Sequence, residues 1–232
     1  MAAIQRICLV VLMFFGAVGA KAQPVPTADE IFAAHSKAIG FAGAQASYGT
    51  IVAHAHVTVG DREYDTEVKS SVLPDGPGNA EFTIIRDGVS TLYADIGGLL
   101  TRTVGGGGAE PLPLGMRAFI HGHQFHRRVM FPALTLASIS NPVTRAVFAG
   151  VPAYKVVGKT RDGDELSYYF DAAGKTMLGF QLIVTEDTGP NLLEFVLGDW
   201  SIKGGETLFW RLEITDKTDL YIYEFNKLLL LP

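Results

Sequence analysis

Between residues 50 and 59 apolar and polar side chains alternate. Ile51, Ala53, Ala55, Val57 and Val59 fall on one side of an extended chain, and Thr50, Val52, His54, His56 and Thr58 on the other. A period of two is the mark of a strand. After a Gly60-Asp61 turn, Tyr64, Thr66, Val68 and Val72 stand opposite Glu63, Asp65, Glu67 and Lys69. Residues 80–86 and 89–95 flank Asp87-Gly88, a dipeptide suited to a two-residue hairpin because both positions tolerate positive φ. The same pattern returns at 153–159, 165–171 and 176–185, with a turn at Asp162-Gly163. It returns again at 192–202, 207–215 and 219–226, with a turn at Lys203-Gly204-Gly205. In the last group Leu208, Trp210, Leu212 and Ile214 share a face opposite Phe209, Arg211 and Glu213. About ten strands are expected, mostly joined by short turns. Successive hairpins imply an antiparallel sheet, and a twisted sheet of that size curls.

Two stretches break the alternation. Thr27-Ala28-Asp29-Glu30 has the form of a capping box, and Ile31, Ala34, His35, Ala38 and Ile39 then follow helical spacing up to Gly40. Residues 114–130 also lack a period of two and read as helical, with Pro132 interrupting them. Asn141-Pro142 is expected to turn the chain toward a short strand near Val147. The fold class is therefore mainly β with a minor helical part (α+β).

The N-terminus changes what the composition means. Arg6 is followed by an apolar run from Ile7 to Val18 and a small-x-small site at Ala20-Lys21-Ala22. That layout predicts a cleaved secretory signal over residues 1–22 and a single domain over 23–232. Cys8, the only cysteine of the 232 residues, leaves with the signal. Loss of Arg6 and Lys21, two basic residues, takes the net charge from −5 to −7. An acidic surface argues against nucleic-acid binding, which needs a basic stripe. A cysteine-free exported domain has no disulfide and no cysteine nucleophile, and must be held by packing. The expected compartment is the periplasm.

Three stretches beside the N-terminal TADEIFAAHSKAIG carry a family resemblance: AVFAGVPAYKVVGKTRDGDELSYYFDAAGKTMLGFQL, LEFVLGDWSIKGGETLFWRLEITDK and LYIYEFNKL. Together they resemble the outer-membrane lipoprotein-sorting (LolA/LolB-like) proteins, with their Gly-Val-x-Ala-Tyr strand start and Tyr-Phe-Asp-x-x-x-Gly turn. Leu208 and Phe209 stand where the closing hairpin of that family usually has proline. The resemblance implies a curled antiparallel half-barrel with helices across its concave face, and between them a space for acyl chains. It carries no ligand-contacting motif that transfers residue by residue.

The chemistry expected is therefore binding. Apolar residues on inward strand faces are the candidate cavity lining: Phe82, Ile84, Leu166, Tyr168, Phe170, Phe180, Leu182, Trp210 and Leu212. The ligand expected is a lipid or other acylated molecule, with an envelope protein as partner, no cofactor and no stable membrane insertion. The chain is expected to be a monomer. A catalytic reading finds no Gly-x-Ser-x-Gly elbow and no phosphate loop. One alternative is a metal-dependent hydrolase using His121, His123 and His126, although the spacing lacks the His-Glu-x-x-His arrangement. His54 and His56, on one strand face, form a second chelating geometry. The other alternative is an outer-membrane β-barrel.

Overall fold

A computed structural model describes residues 24–41, 49–71, 79–161, 163–186, 189–203 and 206–232. The expected export signal with Cys8, and the residues Val72, Asp162, Gly204 and Gly205 named above, lie outside them. Helix α1 (Ala28–Ala38) opens the described chain. A meander follows: β1 (Thr50–Val59), β2 (Arg62–Ser71), β3 (Ala80–Arg86), β4 (Val89–Ile96), β5 (Leu99–Val104) and the two-residue β6 (Glu110–Pro111). Three short helices, α2 (Met116–Gly122), α3 (Phe125–Met130) and α4 (Pro132–Thr135), carry the chain to the opposite edge of the sheet. It then meanders back through β7 (Ser138–Phe148), β8 (Val151–Lys159), β9 (Glu165–Asp171), β10 (Met177–Glu186) and β11 (Gly189–Gly198). A small hairpin, β12 (Ser201–Lys203) with β13 (Glu206–Leu208), precedes β14 (Arg211–Thr215) and β15 (Leu220–Leu231).

Thirteen of these strands form one sheet in the order β6-β5-β4-β3-β2-β1-β15-β14-β11-β10-β9-β8-β7. The two meanders are joined by antiparallel pairing of β1 with β15, from Thr50 opposite Leu231 to Val59 opposite Tyr221. The outermost strands, β6 and β7, do not pair with each other, so the sheet is open, not a closed barrel. Its outer face is polar. His54 meets Glu67 at 3.3 Å and His56 meets Asp65 at 3.0 Å across β1 and β2, and Lys69 meets Glu81 at 3.3 Å across β2 and β3. An outer-membrane barrel presents an apolar band to lipid, so both the open edges and these ion pairs overturn that alternative.

Local chemistry explains the elements. Thr27 caps α1 as expected: its hydroxyl accepts from the Glu30 N–H at 3.3 Å while the Glu30 carboxylate accepts from the Thr27 N–H at 2.8 Å. Asp87 and Gly88 both take positive φ, 52° and 76°, which closes β3 onto β4 with Arg86 opposite Val89.

Four expectations are corrected. The described residues hold fifteen strands, not about ten. Asn141-Pro142 does not turn the chain: β7 runs through it with a register shift between Ser140 and Thr144. Proline, which cannot donate to a ladder, is tolerated here because β7 is an edge strand. The 192–202 and 207–215 runs are each broken, at Asp199-Trp200 and Phe209-Trp210, with Asp199 at φ 53°. The second break puts Phe209 wholly inside and leaves Trp210 half-buried, the reverse of strict alternation. A register shift between Met177 and Gly179 likewise turns Leu178 away from the face of Phe180, into a small outer cluster with Phe148 and Tyr169.

Candidate functional site

The concave face is filled unevenly. On the β8–β10 side, α1 sets Phe32 edge-on against Tyr168 and Phe170, with ring centroids 6.4 and 5.8 Å apart. Helix α3 is buried on every side, and its Val129 and Met130 complete that packing. Leu166, Tyr168, Phe170, Phe180 and Leu212 are accordingly at most 1% exposed and belong to a solid core, with Trp210 half-buried against it. These six sequence candidates do not line the cavity. The helices reach that part of the sheet and pack against it, and Phe170 borders a separate cleft beside α1.

The other side is hollow. A half-open cavity of about 430 Å³ lies between the sheet and the α2–α3 segment. Its floor is Phe82 and Ile84 from β3, Tyr64 from β2, Tyr221 and Tyr223 from β15, Ile214 from β14, Phe195 and Leu193 from β11, and Leu182 and Val184 from β10. In the strand order β3 and β10 are six spacings apart, about 29 Å in a flat sheet at about 4.8 Å each. That they bound one cavity is a direct measure of the curl. Gly115, Phe119, Gly122, His123 and Phe125 form the roof, and Asn191 and Asp216 add polar groups to the wall. Of the nine sequence candidates, Phe82, Ile84 and Leu182 are placed on this surface. The remainder of the floor was partly legible: Tyr64, Val184 and Ile214 occupy inward positions of the expected alternation. The roof carried no such signal, because its residues sit on short helices.

Helix α2 is held over the cavity by its own small anchorage. Ile120 packs with Ala80 and Leu100 in a cluster separate from the main core. Asp95 on β4, 1% exposed, accepts from Arg117 Nε at 3.1 Å and His121 Nε2 at 2.9 Å.

The three clustered histidines diverge. His121 bonds Asp95. The Nδ1 of His123 lies 2.7 Å from the Phe119 carbonyl, and its ring stacks on Phe82 with centroids 3.7 Å apart. His126 points Nε2 at the Phe209 carbonyl, 3.4 Å away, and stacks on Phe209 with centroids 4.2 Å apart. Burial lowers the His123 imidazole to about 4 and that of His126 to about 3, so both rings are neutral at physiological pH. Among the described residues no group of three or more His, Cys, Asp or Glu side chains converges as a metal site would. The ligand set of the hydrolase alternative is thus dispersed. His54 and His56 are on the outer face, each opposite a carboxylate; the hydrogen bond with Asp65 raises the pKa of His56.

His35 is not part of the cavity. Wholly buried, it donates from Nε2 to the Val129 carbonyl at 2.8 Å and accepts the Met177 N–H on Nδ1 at 3.2 Å, tying α1 to α3 and β10. Burial pulls it down to about 4. A second cleft, about 550 Å³, lies outside α1 beside Pro24 and Pro26; Glu30, Asp171 and Lys175 make its rim charged.

A curled open sheet with helices inside its concavity is a recognisable architecture. A LolA superfamily protein from Nitrosomonas europaea superposes with a TM-score of 0.59 at 14% identity, covering 90% of this chain and 95% of that one. The chain has the LolA-like fold. A putative outer membrane lipoprotein-sorting protein domain from Vibrio parahaemolyticus is similar over 84% of this chain and 92% of its own, with a TM-score of 0.53 at 10% identity. A DUF1329 family protein from Desulfovibrio piger gives 0.53 at 8% identity, covering 89% and 94%. No family model and no curated protein sequence matches. Within the LolA-like fold, the half-barrel expectation is borne out, and the cavity occupies the space between sheet and helices.

Proposed function

We propose that this chain is an exported periplasmic carrier that holds the apolar part of a lipid or other acylated ligand in the α2-roofed cavity, without a covalent step. The observation that carries this reading is the cavity itself: about 430 Å³, chiefly apolar, and half-open. Sites for small ligands run from about 300 to 1,000 Å³ with few polar groups. The likeness to a putative outer membrane lipoprotein-sorting domain from Vibrio parahaemolyticus is consistent with it, as is the signal-like segment over residues 1–22. No helix among the described residues is long and apolar enough to cross a membrane. Phe82, Ile84 and Leu182 are the proposed ligand contacts from the sequence set, joined by Phe119, Phe195 and Tyr223. Movement of the roof would widen the entrance. Helix α2 is the element suited to this, because it packs in a small satellite cluster apart from the main core and is tied by a few polar contacts, chiefly to Asp95, and weakly packed units open first. An envelope protein that delivers or receives the ligand is the expected partner, and the working unit is a monomer.

Native mass spectrometry of protein isolated from a periplasmic fraction tests this reading, together with displacement of a hydrophobic fluorophore. A co-purified lipid or fatty acid is expected. A clean ligand-free spectrum and no displaceable probe would overturn it.

A further inference from the structure

Two arginines are buried where, among the described residues, no charge of opposite sign meets them. Arg127 and Arg128, consecutive on α3, are 5% and 7% exposed. Arg127 Nη1 donates to Gln124 Oε1 at 3.0 Å, and Arg128 Nη2 donates to the His121 carbonyl at 3.2 Å. Both acceptors are neutral. Among the described residues no carboxylate pairs with either guanidinium, and Arg127 Nε, Arg128 Nε and Arg128 Nη1 are buried with no acceptor. By contrast, Arg102, Arg117 and Arg211 each meet a carboxylate. Arginine does not escape burial by losing its proton at neutral pH, so these two carry their charges inside the molecule.

Burying a cation without an anion is among the costliest arrangements in a protein, and such costs are retained where function uses them. Burial, Arg128 and Arg161 together lower Arg127 to about 10, so the local field is positive. Arg128 adjoins the cavity roof: it bonds the carbonyl of His121, which immediately precedes roof residues Gly122 and His123, and its charge acts on the His123 ring.

We propose that Arg127 and Arg128 form a binding site for an oxyanion, a carboxylate or phosphate group. A guanidinium presents its N–H groups in a planar fork that matches two oxygens at once, and the three unmatched nitrogens need acceptors of that kind. Such a group has two sources: the acidic head group of a ligand whose chain lies in the cavity, or a free anion. The head-group case rests on the carrier reading above; the free-anion case does not.

The test uses the whole exported protein in two arms. In the first, a hydrophobic fluorophore is displaced by dodecanoate and by dodecanol, which share a chain length and differ in charge. In the second, thermal unfolding is compared in inorganic phosphate and in chloride at equal pH and ionic strength. A head-group site gives dodecanoate an advantage of about tenfold or more over dodecanol, the worth of one charge-assisted contact. A free-anion site gives a higher Tm in phosphate with no such advantage. Either effect must vanish in Arg127→Gln/Arg128→Gln. The single variants Arg127→Lys and Arg128→Lys, which keep charge but lose the fork, must weaken it should the double variant fail to fold. No effect in either arm of the wild-type protein overturns the proposal, and so does an effect undiminished by substitution. Failure of both dodecyl compounds to displace the probe refutes the carrier reading alone, leaving the phosphate arm to judge the arginines.

Discussion

Filling the cavity without disturbing the fold separates a binding site from an accidental void. Gly122 is the residue for it. It ends α2, lines the cavity, and a Cβ built on it meets nothing within 4 Å. Its φ is not in the positive region, so an L side chain fits its backbone. Replacing glycine in a helix gains about 0.5–1 kcal/mol of propensity, less at a terminal position. Gly122→Leu therefore leaves Tm unchanged or slightly raised. The four side-chain carbons of leucine take the room of about as many methylenes, each worth about 0.8 kcal/mol on burial, or about 3 kcal/mol in all. Dodecanoate binding should weaken by about 10- to 100-fold, the lower figure applying where the chain re-seats deeper. Leu182→Ala is a poorer probe, because truncation in a packed wall costs about 2–5 kcal/mol and confounds binding with folding. Displacement titration beside thermal unfolding decides the matter. A Gly122→Leu protein with native Tm and wild-type affinity would refute the assignment of the cavity as the site.

Acid should destabilise the protein through its buried histidines. His35 and His126 are held near 4 and 3 in the fold against about 6.5 unfolded, so the unfolded chain binds more protons below pH 6.5. Their contribution is complete above pH 6.5 and lost as pH falls toward 4, about 2 kcal/mol each by pH 5, which lowers Tm by roughly 8–16 °C from pH 7.5. His56, raised by Asp65, acts in the opposite sense but is exposed and contributes little. A Tm flat between pH 7.5 and 5 contradicts this account. Gly179→Ala should cost about 2 kcal/mol or more, measured by denaturant unfolding, because its Cβ would run into the Phe195 carbonyl and the Phe148 ring. Asp95→Asn should loosen α2, costing about 1–3 kcal/mol and accelerating ligand release in stopped-flow displacement; an unchanged release rate would show that α2 is not the gate.

Period-two alternation, capping and turn residues made most of the sheet readable, since each is a local signal. Thr27 to Glu30, Asp87-Gly88 and the inward faces of β1, β9 and β10 are written in consecutive residues. What was not readable depends on partners distant in the chain. Phe209 turns inward because His126, 83 residues away, supplies both a stacking ring and a donor for its carbonyl. Pro142 stays inside β7 because that strand has a free edge, a property of sheet order alone. The candidate lining divided in the same way. Leu166, Tyr168 and Phe170 have the same strand-face pattern as Phe82 and Ile84, and only the position of α1 makes one set core and the other cavity wall. His121, His123 and His126 diverged from a metal site for a related reason, since ligand geometry depends on where each ring nitrogen finds its partner.

The histidines show how that irregular interior is held together. Each of His35, His123 and His126 has a ring nitrogen at hydrogen-bond distance from a backbone carbonyl, those of Val129, Phe119 and Phe209. Two of these carbonyls belong to short helices and one to a strand break, places where regular backbone pairing runs out. A phenylalanine at such a position would pack but leave the carbonyl unmet, and an asparagine would meet it but leave a gap. Neutral imidazole does both, stacking on Phe82 or Phe209 while donating. Short helices can therefore fit inside a curled sheet without the length that would fill it. The hollow under α2 follows from that economy: His123 on Phe82 props the roof at one point, and the space beside it stays open.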